Sequence, residues 1–123
     1  MIIEDDLSLL ALYRDRLKTA GFTVLTEYDG QKGLERALME KPQVLLIDLG
    51  LPHMSGLEIM KQIRNDSWGV AVPIIVLAQH DSNDDILNKI LEFKPSYYLV
   101  KKDRTADEVV ERVKQLTAQV ISK

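Results

Sequence analysis

The chain has 123 residues, 46% of them hydrophobic and 28% charged, the make-up of one globular domain rather than of a disordered segment. It holds no cysteine, which excludes disulfides and thiolate metal centres and fits a reducing, cytoplasmic setting. A net charge of −3 gives no basic surplus for direct nucleic-acid binding, and no apolar run approaches the ~18 residues of a membrane span.

Met1-Ile2-Ile3 is a short apolar start running into Glu4-Asp5-Asp6, a clipped first strand that suggests a chain beginning a few residues late. From Leu7 to Ala20, Leu9, Leu12, Tyr13, Leu17 and Ala20 form a helical stripe, with Gly21 as a stop. Phe22 to Thr26 reads as the second strand, closed by Asp29-Gly30. A helix then runs from Gln31 to Glu40, with Leu34, Ala37 and Leu38 on its apolar side, before Pro42. Val44-Leu45-Leu46-Ile47 is a continuous apolar run ending on Asp48, the mark of a strand covered on both faces. A helix follows from about Leu57 to Asn65, carrying Ile59, Met60 and Ile63.

After the loop Asp66-Ser67-Trp68-Gly69, Pro73 opens a fourth apolar run, Ile74 to Ala78. Ser82-Asn83-Asp84-Asp85 suits a helix start, and Ile86, Leu87, Ile90 and Leu91 supply that helix's buried stripe. Tyr97 to Val100 is the last strand, ending in Lys101-Lys102-Asp103. Thr105 and Glu108 make a capping-box pattern ahead of a helix built on Val109, Val110, Val113, Leu116 and Val120. Five strands alternate with five helices, so short right-handed crossovers predict a doubly wound parallel α/β sheet in a single domain, 1–123.

Ligands of open parallel sheets sit beyond the carboxyl ends of the strands. Alone, Asp48 reads equally as the cap of the turn punctuated by Gly50, Pro52 and Gly56. What decides is whether other charges meet it. Strand one ends at Glu4-Asp5, strand three at Asp48, strand four at Ala78 and strand five at Lys101. Gathered carboxylates repel one another unless a cation sits among them, and hard oxygens without His or Cys favour Mg²⁺, with Mn²⁺ as a substitute. A carboxylate is also a nucleophile toward phosphorus, and Lys101 is placed to neutralise a transferred phosphoryl group.

With these residues the chain resembles a receiver domain of response regulators in two-component signal transduction, the CheY-like family, over essentially its whole length. The carrying motifs are the acidic pair Glu4-Asp5, Ile47-Asp48-Leu49-Gly50-Leu51-Pro52 with Gly56 closing the turn, and Lys101 three residues after Tyr98. The resemblance implies a flavodoxin-like (βα)5 three-layer sandwich with sheet order 2-1-3-4-5. It implies Asp48 as phosphoacceptor, Mg²⁺ held by Glu4, Asp5, Asp48 and the Gly50 backbone carbonyl, and Lys101 as phosphate-binding residue. Asp6 would be a third acid, turned into the first helix. The implied partners are a sensor histidine kinase or phosphotransfer protein, an effector outside this chain, and a second copy through the face of helix 4, strand 5 and helix 5.

Four switch positions qualify the match: Ala78, Gln79, Tyr98 and Lys102. Relatives of this type end strand four with Ser or Thr followed by a small residue, and here Ala78-Gln79 stand instead. The hydroxyl's hydrogen bond to a charged group is worth ~1.5–3 kcal/mol, so its loss weakens a conformational response more than the chemistry. Gln79 either restores a donor or crowds the entrance. Lys102 replaces a proline, cis in the family, so the Lys101-Lys102 peptide is either trans with a rearranged loop or cis under strain. Tyr98 is either a rotating aromatic or a cover for apolar surface.

His53 and His80 are lone histidines without a second at ligand spacing. Trp68 fits a loop folded back over a helix end. Lys102 and Arg104, like Glu111, Arg112 and Lys114, read first as solvated charges. Two rivals to phosphoacceptance stand: a phosphorylation-independent interaction module, motivated by Ala78 and Lys102, and a metal-dependent phosphatase, for which the sequence offers no lid or substrate domain.

Overall fold

The computed structural model describes residues 1–79, 83–103 and 105–121. In chain order the elements are β1 (Ile2–Ile3), α1 (Leu7–Thr19), β2 (Thr26–Glu27), α2 (Gly30–Glu40), β3 (Leu45–Asp48), α3 (Gly56–Arg64), β4 (Ile74–Ala78), α4 (Asp84–Glu92), β5 (Tyr97–Val100) and α5 (Ala106–Ile121). All strand pairs are parallel, in the order β2-β1-β3-β4-β5. This is the doubly wound parallel sheet that the alternation predicted, in the flavodoxin-like order that the resemblance implied.

Period-two alternation of strand side chains splits the core into two layers. Ile3, Leu45, Ile47, Ile74 and Val76 pack against Leu34, Ala37, Ile59, Met60, Ile63 and Ile90 of α2, α3 and α4. Ile2, Leu46, Ile75, Leu77 and Leu99 pack against Leu10, Tyr13 and Leu17 of α1 and Val109, Val110, Val113 and Leu116 of α5. Burying each large aliphatic chain contributes about 1.5–3 kcal/mol, so the central strands are the most firmly held part of the molecule. That rigidity fixes the residues at their ends.

The helix termini follow from local chemistry. Asp6 caps α1, its Oδ1 accepting from the Ser8 and Leu9 N–H groups at 3.0 and 3.2 Å. At the other end Gly21 adopts φ +99°, while the Phe22 and Gly21 N–H groups donate to the Leu17 and Lys18 carbonyls. This is a Schellman closure, which favours glycine. Ser55 and Asn83 cap α3 and α4, and the Glu108 N–H donates to Thr105 Oγ1 at 3.2 Å ahead of α5.

Three sequence expectations change. The second strand is Thr26–Glu27, not Phe22–Thr26, because its sole strand neighbour, β1, offers only Ile2 and Ile3 to pair with. On α1 the buried stripe is Leu10, Tyr13 and Leu17, with Leu12 and Ala20 exposed. On α4 only Ile90 is buried; Ile86 and Leu91 are 44% and 52% exposed, so this short helix touches the core along a single line. Trp68 does fold back, half-buried against the α2–α4 layer. His80, Ser82, Arg104 and the Val120 side chain lie outside what is described.

Candidate functional site

The strand register assembles the site. Ile2 and Ile3 pair with Leu46 and Ile47, so the next residues along, Glu4 and Asp48, come side by side. By alternation both point to the α1/α5 side of the sheet. Lys101, the first residue beyond β5, reaches back to them. Its Nζ lies 2.6 Å from Glu4 Oε1 and 3.2 Å from Asp48 Oδ1. Gly56 lets α3 start directly against the end of β3, because any β-carbon there would collide with the Asp48 carbonyl oxygen.

These groups floor an open cleft of about 580 Å³ lined by Asp5, Asp6, Leu9, Asp48, Gly50, Gln79, Lys101 and Lys102. Glu4 is fully buried and Asp48 is 4% exposed, whereas Asp5 faces solvent. Burial, reinforced by the neighbouring Asp48, pushes the Glu4 carboxyl up to about 8 against the pull of Lys101. Asp5 is also raised, by burial and then by Asp48. Asp48 moves the other way: burial pushes it up, but Glu4 and the Lys101 ammonium outweigh that and hold it below the ordinary carboxylate range. Lys101 is raised, since its two carboxylate partners outweigh burial. In the metal-free protein the proton therefore rests on Glu4, while Asp48 stays ionised beside a charged lysine.

The site fits a divalent cation. Glu4, Asp5 and Asp48 can each offer one oxygen with all three atoms within 4.8 Å of one another. Neither oxygen of buried Glu4 makes a hydrogen bond of good geometry, so Lys101 is its charged partner among the described residues. A buried, poorly satisfied carboxyl next to two more is the donor set of a hard, oxygen-loving ion.

The other predicted residues fall as follows. Gly50 lines the cleft and its N–H donates to Asp48 Oδ1 at 3.4 Å, which folds the turn back over the carboxylate. Ala78 is buried at the end of β4 and offers a methyl group; Gln79, next to it, is exposed and lines the cleft. Tyr98 is half-buried against the α2–α4 layer. The Lys101-Lys102 peptide is trans, and a single 3₁₀ turn, Lys101–Asp103, places Lys102 on the cleft wall. Asp6, expected as a third acid turned into the first helix, caps α1 and also lines the cleft.

Two contacts had no signal in the sequence. Asp29, the cap of α2, pairs with His53 Nδ1 across the loop that leads from β3 to α3. Met54 N–H donates to the Pro52 carbonyl around His53 at φ 67°, a tight turn that holds this imidazole in place. Arg64 gathers the carbonyls of Phe93, Gly69, Val72 and Lys94 at 2.7–3.1 Å, tying the end of α3 to the approaches of β4 and β5.

Fold and acidic cleft together define a doubly wound parallel α/β domain with a carboxylate-rich site at the ends of its strands, and comparison with known proteins makes the assignment specific. Residues 1–114 match the response regulator receiver domain model, and the chain belongs to that family. It is 32% identical over 102 residues to the alkaline phosphatase synthesis transcriptional regulatory protein PhoP of Bacillus subtilis (strain 168), covering 82% of this chain and 41% of PhoP. The response regulator ArlR of Staphylococcus saprophyticus is 36% identical over 102 residues, 82% of this chain and 44% of ArlR. The chain thus spans about two-fifths of the length of these curated relatives. In fold it is similar to the chemotaxis response regulator CheY4 of Vibrio cholerae, with a TM-score of 0.84 over 94% of both chains at 23% identity. Among the described residues no helix is long and apolar enough to cross a membrane.

Proposed function

We propose that residues 1–123 form one receiver domain that accepts a phosphoryl group on Asp48 from a phosphohistidine of a sensor kinase or phosphotransfer protein. The observation that carries this reading is the Lys101 ammonium set between Glu4 and Asp48, which keeps Asp48 ionised at the floor of an open cleft. In the transfer, an Asp48 carboxylate oxygen forms a bond to phosphorus as the bond to the donor imidazole nitrogen breaks. The departing imidazole keeps that bond's electron pair and takes up a proton. Lys101 balances charge on the phosphoryl oxygens, and Glu4 gives up its proton when a cation occupies the site.

Mg²⁺, or Mn²⁺, would be held by Glu4, Asp5, Asp48 and the Gly50 carbonyl, and would supply charge neutralisation to the phosphoryl oxygens. The domain assists its own phosphorylation and dephosphorylation without turning over a substrate. Its setting is the cytoplasm. Its effector lies outside this chain, and it makes no direct nucleic-acid contact. The exposed Ile86 and Leu91 support a homodimeric contact through α4, β5 and α5.

The test uses beryllium trifluoride, which stands in for a phosphoryl group on a carboxylate. With Mg²⁺ present it binds wild type and fails on Asp48→Asn; equal binding to both refutes the acceptor role. Buried Ala78, with no hydroxyl to read the phosphoryl group, favours a second reading: a constitutive interaction module. On that reading Asp48→Asn leaves partner affinity unchanged even under phosphorylating conditions.

A further inference from the structure

Two adjacent lysines line the cleft, and they are not equivalent. Lys101 is committed inward, its Nζ against Glu4 and Asp48. Lys102 is exposed on the same wall, and among the described residues it forms no ion pair, although Asp5 and Asp6 line the same cleft. A phosphoryl group has three terminal oxygens. A cation held by the carboxylates and the Lys101 ammonium would each balance charge on these oxygens, while β4 ends in the methyl of Ala78 and offers no side-chain hydroxyl to them.

We infer that Lys102 is a second phosphoryl-binding residue, its ammonium meeting the outer oxygen of a group carried on Asp48 in place of the donor that Ala78 lacks. The inference rests on the phosphoacceptor reading above. Charge points the same way: Asp5, Asp6 and Asp48 line the cleft against Lys101, and a cation there would offset only part of the negative charge that an arriving phosphoryl group adds. Gln79 lines the same cleft and is the competing donor, but its amide carries no net charge to set against the surrounding carboxylates. The trans 3₁₀ turn gives the position its reach, since it sets Lys102 on the cleft wall directly after the inward Lys101.

The experiment measures two affinities by calorimetry on the intact chain: Mg²⁺ alone, and beryllium trifluoride at saturating Mg²⁺. The lost contact is solvent-exposed, so Lys102→Gln is expected to weaken beryllium trifluoride about fivefold. The same variant should bind Mg²⁺ slightly more tightly, because a like charge has gone. Lys102→Arg restores the first affinity, and Gln79→Ala leaves it unchanged. A general structural defect would weaken both ligands together and would overturn the inference. So would wild-type affinity in Lys102→Gln, or a loss confined to Gln79→Ala, while Asp48→Asn still abolishes binding. If wild type and Asp48→Asn bind alike, the acceptor reading itself has failed and the role of Lys102 falls with it.

Discussion

Lys101 and Glu4 form the tightest charged contact at the site, 2.6 Å between Nζ and Oε1, with the Glu4 carboxyl wholly buried. A buried pair of this kind is weak evidence for stability, since removing two charges from water offsets most of their attraction. Its effect is on protonation. Lys101 and the proton on Glu4 together hold Asp48 in its ionised form.

A pH dependence follows from Glu4. Its folded pKa, about 8, lies above the unfolded value of 4.5, so the folded state binds the proton more tightly. This group's stabilising contribution is complete below about pH 4.5 and is lost as pH rises toward 8. Glu4→Gln, which keeps the neutral shape, should therefore raise the melting temperature of the metal-free protein at pH 8 and change it little at pH 4.5. It should also diminish the stabilisation that Mg²⁺ gives. Thermal melts across that range, with and without the metal, check both outcomes.

Ala78→Thr should return a donor to the end of β4. A hydrogen bond to a charged group contributes ~1.5–3 kcal/mol, so beryllium trifluoride should bind the variant at least about tenfold more tightly. Titration at saturating Mg²⁺ reads this directly. An unchanged affinity would mean that position 78 does not face the phosphoryl site.

Arg64→Met should destabilise the fold without touching the cleft. The four carbonyls of Phe93, Gly69, Val72 and Lys94 would lose their shared donor. Three of these contacts are partly buried and the one to Lys94 is exposed, so leaving the acceptors unpaired costs about 2–4 kcal/mol in total. Urea denaturation should report that loss, while Mg²⁺ affinity stays at the wild-type value.

The fold was legible because its strands are continuous apolar runs and its helices carry 3.6-residue stripes, two patterns that need no knowledge of neighbours. Errors arose where neighbours decide. Phe22 to Leu25 has strand-like residues but faces a first strand only two residues long, so pairing is confined to Thr26 and Glu27. The apolar face of α4 promised four buried side chains, yet the helix meets the core mainly through Ile90. At the cleft, Glu4, Asp48 and Lys101 could be placed together because strand ends in a parallel sheet share an edge. Arg64 and the Asp29–His53 pair could not, since their partners are backbone and loop groups brought together only by the tertiary fold. The same holds for Lys102, which reads as a solvated charge until the turn sets it on the cleft wall.

Phosphoacceptance by Asp48 has a direct chemical readout. Incubation with Mg²⁺ and phosphoramidate, whose P–N bond mimics phosphohistidine, followed by intact-mass and peptide mass spectrometry, tests it most directly. One phosphoryl adduct per chain is expected, located on Asp48, absent from Asp48→Asn and formed more slowly by Lys101→Ala. No adduct on the wild type, or an adduct that persists in Asp48→Asn, would contradict it.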